Sequence, residues 1–488
     1  MGKGNGSLQN RIFGDKKLEN PKHVFALVIS TLKYKDYVMK IIKSSKIKES
    51  PGIKRLKLSD NMLCLLVYDL VFSKGRIQSG KHPIKDEILK HKTRLHSEFI
   101  KMKLKYKVTA IEDLPNVKGL DDETPVRWFR INTIKISVPE FFSSHEFFRK
   151  LQPSSGFKHI KEGMIYEDEF IPNLYGVHPR EKIMDTQAYK GGEIIIQDRA
   201  SCFPATILFS NFQPKEVIDG CAAPGNKTTH IASYLAQQPE KGLVYAFERD
   251  SRRVETLKKM CLTATGARDL IHITHEDFTK TRVEDFPNVE GLVMDPSCSG
   301  SGIFGRAIED EQEKVEVDNE RLERLGRFQF TIMRHALSFP NAKKVVYSTC
   351  SIHAQENERV VVDLLMDKDI GKKWELAPRE IVIPSWERRG WSEEFTALAG
   401  KKTVEELAGG CVRSVPKEDG GIGFFAACFV RKDATDEDVT DEVSDGEASD
   451  DEASDVTETS NKSEAESEGE SGGESEGESG EEAEWTGF

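Results

Sequence analysis

No uninterrupted apolar run in this 488-residue chain approaches the roughly 18 positions that a membrane-spanning helix needs. The opening stretch, MGKGNGSLQNRIFGDKK, lacks the apolar segment of a secretory signal. Cysteine is sparse and scattered, at positions 64, 202, 221, 261, 298, 350, 411 and 428. No C-x-x-C and no paired Cys/His spacing occurs, so a structural zinc site is not expected. Without a secretion signal the expectation is a reducing compartment, where thiols stay free for chemistry or serve as packing residues. Beyond residue 432 apolar residues all but vanish until Trp485, and Asp433 to the end carries 23 acidic residues against one Lys. Such a segment buries too little surface to offset its ordering entropy, so 433–488 is expected to be disordered.

The acidic tail hides what precedes it. The whole chain has a net charge of −12, but residues 1–432 carry +10. Residues 1–107 alone hold 25 Lys/Arg against 9 Asp/Glu. A basic front end fits a polyanionic partner, although charge alone leaves a solvated helical surface equally open. Overall, 38% hydrophobic and 31% charged residues fit a globular core with polar extensions.

Periodicity divides the chain into four parts. Residues 1–107 read as basic helices: PKHVFALVISTLKYKDYVMKII repeats apolar residues at helical spacing, NMLCLLVYDLVF is a buried helix with Asp60 as N-cap, and EILKHKTRLHSEFIKMKLKYK is a long amphipathic stretch. Residues 108–191 read as a small α/β subdomain, with PVRWFRINTIKIS as a strand and SVPEFFSSHEFFRKL as a helix. Residues 192–432 alternate strands (KEVIDG, GLVYAFE, IHIT, GLVMD, KVVYST) with helices (NKTTHIASYLAQ, SRRVETLKKMCLTA, NERLERLGRFQFTIMRHAL) and close on GIGFFAACFVRK. That alternation predicts an α/β class domain with an open, largely parallel sheet, helices on both faces and ligands at the strands' carboxyl ends. The fourth part is the tail, 433–488.

Val217-Ile218-Asp219-Gly220 runs into Cys221, Ala222, Ala223, Pro224, Gly225, Asn226 and Lys227. A strand leading into small residues and then a helix lets backbone approach a ligand and offers free N–H groups. A phosphate loop needs Lys directly after its second Gly; here Asn226 intervenes, which leaves an adenosyl cofactor as the better fit. The next strand ends in Glu248, suited to ribose hydroxyls. Arg253, one turn into the following helix, could hold that acid or a cofactor carboxylate. Asp277, after IHIT, is placed to accept from an adenine amino group. Each acid alone could equally be a helix cap.

The fourth and fifth strands end in Asp295-Pro296-Ser297-Cys298-Ser299-Gly300 and Ser348-Thr349-Cys350-Ser351. Both put a cysteine at the ligand edge. Cytosine C5 is a poor nucleophile until a thiolate adds to C6, which is covalent catalysis. The thiol must then be deprotonated, and an acid must meet N3, where Asp295 is positioned to act. Two buried structural thiols would be the bland reading of either cysteine taken alone.

Taken together, these motifs and Gln197-Asp198-Arg199-Ala200-Ser201 resemble the Sun (Fmu) family of RNA cytosine-5 methyltransferases over about residues 120 to 432. The wording APGNKTTH and DPSCSGSGIF is similar to the subfamily that modifies large-subunit (25S/28S) ribosomal RNA. The resemblance implies a Rossmann-like domain using S-adenosyl-L-methionine, with an RNA-binding subdomain before it. It implies Cys350 as nucleophile and Cys298 as the aid to product release, with Asp295 catalytic as well as lining the cofactor site. In DNA cytosine methyltransferases the Pro-Cys cysteine attacks instead, and a Thr-Cys cysteine is not expected. The subfamily further implies ribosomal RNA within a pre-60S particle as partner and a nucleolar location in the nucleus; a monomer without a metal is the remaining expectation. A tRNA substrate and a non-catalytic RNA clamp are the rival functions. The basic residues of 1–107 and Arg130 are expected to hold phosphates.

Overall fold

Lysine-rich helices build the front of the chain in the computed structural model, which describes residues 8–15, 17–73, 77, 82–111, 114–115, 125–240, 242–266, 268–303, 319–400 and 402–432. The longer ones span Pro21–Lys33, Lys35–Ser45, Asp60–Val71, Pro83–Lys90 and Lys92–Tyr106. Their apolar stripes meet in one core of Val38, Ile41, Leu63, Val67, Ile88, Leu95 and Met102, which leaves the lysines outside. Two expected continuous stretches are broken. Tyr34 leaves helical geometry and packs its ring against Tyr68 and Phe72. His91 interrupts the basic stretch. The expected cap also shifts by one residue: Ser59, not Asp60, accepts from Met62 N at 3.2 Å. The hydroxyl sits one residue earlier, where the backbone is still extended, and Asp60 becomes the first helical residue.

A five-stranded sheet follows, made of β1 (Arg127–Ile131), β2 (Gln152–Pro153), β3 (Met164–Glu167), β4 (Leu174–Val177) and β5 (Ile194–Ile196), in the order β2-β3-β4-β1-β5. The strand expected over PVRWFRINTIKIS ends at Ile131, and the expected helix over SVPEFFSSHEFFRKL divides into Val138–Ser144 and Glu146–Arg149. Alternation along β1 sorts its side chains. Phe129 and Ile131 enter the small sheet's own core. Trp128 and Arg130 face the other way, toward the rest of the protein. Arg130 is therefore buried and donates to Gln197, Ser233 and Thr229. Burial lowers its pKa to about 10. The expected phosphate contact at Arg130 is thus corrected to a structural tie. The boundary at 191/192 also moves: β5 lies beyond it, yet pairs with β1, Phe129 opposite Ile196. An Ile-Ile-Ile run suits either sheet, and only the long-range pairing assigns it.

The larger sheet comprises β6 (Glu216–Asp219), β7 (Leu243–Phe247), β8 (Ile271–Thr274), β9 (Val289–Met294), β10 (Lys344–Thr349), β11 (Trp374–Leu376), β12 (Cys411–Ser414) and β13 (Phe424–Arg431). Its order is β11-β13-β10-β9-β6-β7-β8, with β12 pairing β13. Strands β6 to β10 pair in parallel, while β13 runs antiparallel to β10. Both faces are covered, so successive residues alternate between two cores. Ile218, Leu292, Met294, Val345 and Tyr347 enter one core, and Val217, Val293 and Val346 enter the other. After β8 the chain returns to the far side of β6, which makes the β6/β9 junction a topological switch point.

The six strands expected between 215 and 432 all form, as do the three helices, now Asn226–Leu235, Ser251–Thr265 and Asn319–Ala336. Strands β11 and β12 and the helix Glu358–Met366 were not foreseen. The acidic segment 433–488 lies outside the described residues. Among the described residues no helix is long and apolar enough to cross a membrane.

Candidate active site

The cofactor side of the switch point is built from local bonds. Asp219 ends β6 fully buried, accepts from Thr228 Oγ1 at 2.7 Å, and so ties the strand to the helix that follows. Burial lifts its carboxyl to about 6 against the pull of that bond. Between them, Gly220 passes so close to Met294 that a Cβ would lie 2.7 Å from its Sδ. Ala222 and Ala223 turn their methyls into a small core with Ala246, Leu257 and Cys261. Burial raises the Cys221 thiol well above its usual range. The turn from Cys221 through Pro224 and Gly225 therefore meets a ligand mainly through backbone. Asn226 opens the helix with its Oδ1 buried and without a hydrogen-bond partner. An unmet polar atom beside a small-residue turn fits a bound polar ligand.

Glu248, at the end of β7, is almost fully buried. It accepts from Asp250 N at 2.9 Å and lies 3.2 Å from the Arg253 guanidinium. Arg253 also donates to Ala223 O at 2.6 Å, so of its two expected roles the structure shows the one toward the acid and the turn. Asp277 caps the 3-10 turn Phe278–Lys280 through Thr279 and lies 3.6 Å from Arg249. Burial would raise its carboxyl, but the Thr279 bonds hold it below the ordinary value. The turn, Glu248 and Asp277 occupy the carboxyl ends of adjacent parallel strands, where an adenosine with its polar ribose can lie.

Across the switch point the bonds span long sequence distances. Cys298 Sγ and Cys350 Sγ are 3.2 Å apart. Asp295 accepts from Ser348 Oγ at 2.8 Å and pairs with Lys227 Nζ at 2.7 Å. Lys227 also donates to Ser201 Oγ and lies over the Phe424 ring. Burial works against its ammonium, yet Asp295 raises its pKa above the usual value. Lys227 follows the turn directly in sequence, and the helix beginning at Asn226 brings its ammonium to Asp295, just past the end of β9.

The two cysteine loops are locked to each other. Gly302 N donates to Cys350 O at 2.9 Å, and Gly302 O accepts from Gly423 N. A Cβ at Gly302 would lie 2.2 Å from Gly423 O, so only glycine allows this approach. Beneath them Glu356, fully buried, accepts from Ser299 N, Ser299 Oγ, Ser351 Oγ and Gln329 Nε2. Asn357 accepts from Thr349 Oγ1 at 2.6 Å and donates to Ser351 O at 3.0 Å. Sequence reasoning missed Glu356 and Asn357, as well as Asp219. The signal was present as five consecutive polar residues, Gln355-Glu356-Asn357-Glu358-Arg359, running into the Val360–Val362 segment of the helix just after the Thr-Cys motif. Cys298 is held well above the usual thiol range, first by its bond to Cys350 and then by burial. Among the described residues no group of three His, Cys, Asp or Glu could hold a metal ion.

A parallel sheet with this strand order, a small-residue turn after its first strand and strand-end acids beyond defines the class of S-adenosylmethionine-dependent methyltransferases. Within it, residues 207–430 match the family described as 16S rRNA methyltransferase RsmB/F, and residues 22–114 match the NOL1/NOP2/Sun domain family member 5, N-terminal domain. The chain belongs to this NOL1/NOP2/Sun (RsmB/F) family of RNA methyltransferases. It is 40% identical to the 25S rRNA (cytosine-C(5))-methyltransferase rcm1 of Schizosaccharomyces pombe, over 88% of each chain. It is 32% identical to the 28S rRNA (cytosine-C(5))-methyltransferase of Mus musculus, again over 88% of each. The crystal structure of PH0851 shares the fold, with a TM-score of 0.54 at 19% identity, over 85% of this chain and 91% of that one.

Proposed function

We propose that this protein methylates C5 of a cytosine in large-subunit (25S/28S) ribosomal RNA, with Cys350 as nucleophile. The carrying observation is the 3.2 Å cysteine pair beside the Lys227–Asp295 ion pair, at the strand ends next to the cofactor turn. The choice of RNA follows the activities named for the fungal and mouse relatives. Bound S-adenosylmethionine supplies an electrophilic methyl group, held by the 221–226 backbone and Glu248.

The chain's own residues do the rest. With Cys350 as the attacking thiolate, Cys298 is the partner that carries the proton, and across the 3.2 Å contact its S–H donates to Cys350 and steadies the charge there. The Lys227 ammonium favours that thiolate as well. Attack of the Cys350 sulfur forms a bond to cytosine C6 and moves an electron pair toward N3, where the Lys227–Asp295 pair accommodates it by donating a proton. C5 thereby becomes the carbon nucleophile that receives the methyl. Loss of the C5 proton to solvent then forms the C5–C6 double bond as the C6–sulfur bond breaks and the Cys350 thiolate leaves, while N3 returns its proton to the Lys227–Asp295 pair. Cys298 stabilises the departing thiolate through the same S–H bond.

Exposed Arg94, Lys101, Lys105 and Lys107, on and just past the helix Lys92–Tyr106, supply a surface for RNA phosphates. Charge reversal there should weaken RNA binding and flatten its salt dependence while leaving cofactor affinity unchanged. A large-subunit rRNA substrate is met on pre-60S particles in the nucleolus, which is where we propose the protein acts. Methyl transfer to total RNA from a deletion strain, followed by bisulfite sequencing, tests the whole reading. Label in a large-subunit rRNA cytosine is expected; label confined to tRNA, or none, would overturn it.

A further inference from the structure

The edge that carries Cys350 also carries an exposed aromatic. Thr349 pairs with Phe425, and Phe425 pairs with Arg413, so Arg413 lies in the same row as the residue before the nucleophile. Its guanidinium is buried and fixed. It donates to both Glu358 oxygens, at 2.6 and 2.5 Å, and to Ile352 O at 3.1 Å. So held, it lies 3.7 Å from the centroid of the Trp391 ring. Trp391 N in turn donates to Glu358 at 3.0 Å.

This anchored tryptophan is nonetheless 42% exposed, and Ile352, two residues past Cys350, is 40% exposed. The contrast with Trp128, Trp374 and Trp386 is sharp: each of these is buried with its indole N–H donated to a backbone carbonyl. A single exposed apolar side chain needs no explanation. Here two share one guanidinium, and the larger is clamped from beneath and through its own backbone at the reactive edge.

We propose that Trp391, backed by Arg413 and flanked by Ile352, is the stacking platform for the RNA base next to the target cytosine. The proposal rests on the RNA methyltransferase reading above. Reaction at C5 and C6 requires the cytosine to leave its stack, which uncovers the face of its neighbour. An indole offers that face a π surface that accepts any base, and the guanidinium behind it rigidifies the ring. The platform contributes grip and placement rather than sequence choice.

The test uses the full chain and a single-stranded RNA carrying the bisulfite-mapped cytosine as 5-fluorocytosine, which traps the covalent adduct. Each neighbouring nucleotide is replaced in turn by abasic ribose. In the wild type, one abasic neighbour should lower the efficiency of adduct formation about ten- to hundredfold. Trp391→Ala should show a similar loss on intact RNA and little further loss on the abasic one, while Trp391→Phe keeps most of the efficiency. Cofactor affinity should not change. Full efficiency in Trp391→Ala, or an abasic penalty as large as in the wild type, would overturn the platform. Should Trp391→Ala not fold, the wild-type abasic series decides, and insensitivity at every neighbour would end the proposal. A wild type that forms no adduct with any RNA would instead bring down the methyltransferase reading and the platform with it.

Discussion

The two halves of the active site are held together in different ways. On the cofactor side, bonds run between near neighbours: Asp219 to Thr228, Glu248 to Asp250, Asp277 to Thr279. On the cysteine side they join residues more than fifty positions apart: Cys298 to Cys350, Asp295 to Ser348, Ser299 to Glu356. The first half is a strand, a turn and a helix, each of which stiffens itself. The second exists only when β9 and β10 lie side by side with the 297–302 and 350–353 loops interlocked. Perturbation of the cofactor half should therefore lower binding, whereas perturbation of the cysteine half should stop chemistry.

Breaking the cysteine pair gives the largest expected effect. Cys350→Ala should abolish turnover and leave no covalent RNA adduct on a denaturing gel. Cys298→Ala should still attack and methylate, then stall as a slow-migrating adduct, because the departing thiolate has lost its donor. A stalled band with Cys350→Ala and none with Cys298→Ala would reverse the two roles. Two normal enzymes would reduce both thiols to packing residues.

Lys227 sharpens the comparison, since its sequence position belongs to the cofactor turn and its charge to Asp295. Lys227→Met should lower kcat by about two to three orders of magnitude. Cofactor affinity by calorimetry should stay near that of the wild type. A loss of affinity with unchanged kcat would return Lys227 to the cofactor half. Glu248→Ala is the converse probe. Removing its charge-assisted bonds should weaken cofactor binding by about 1–3 kcal/mol. At saturating cofactor, adduct formation should recover, and failure to recover would blur the division between the halves.

The smallest expected effect concerns His230, on the helix that both halves share. Burial, and secondarily Arg130, holds its pKa well below the usual imidazole value, and its Nδ1 is buried without a hydrogen-bond partner. A depressed folded pKa means that the unfolded chain takes up the proton first as pH falls below about 6.5. The contribution is absent above that pH and destabilising below it. Asp198 and Asp219, each lifted to about 6 chiefly by burial, act in the opposite direction between about pH 4 and 6. The comparison with His230→Gln isolates the histidine. Wild type should lose melting temperature relative to the variant between pH 7.5 and 5.5, and parallel curves would contradict the assignment.

Legibility followed the same division. Strands β6 to β10 were readable as short apolar runs bounded by turn residues, and the helices after β6 and β7 because each buries one face. Arg130 was misread because alternation along β1 gives its face but not what covers that face. The Lys227–Asp295 pair was not legible because its partners lie far apart in sequence. β5 was not foreseen as a strand, and its pairing with β1 across the expected 191/192 boundary is a long-range contact that a three-residue apolar run does not reveal.

By itself, then, the sequence determined the order of elements in the larger sheet and placed Cys298 and Cys350 just past two strand ends, since these depend on local periodicity. Only the tertiary structure decided that the cysteines meet at 3.2 Å, that Lys227 serves Asp295, and that Glu356 binds both loops from below. Those contacts depend on which strand ends lie adjacent. Adjacency is set by the burial of both faces of the sheet, a property of the packed whole that no single segment carries.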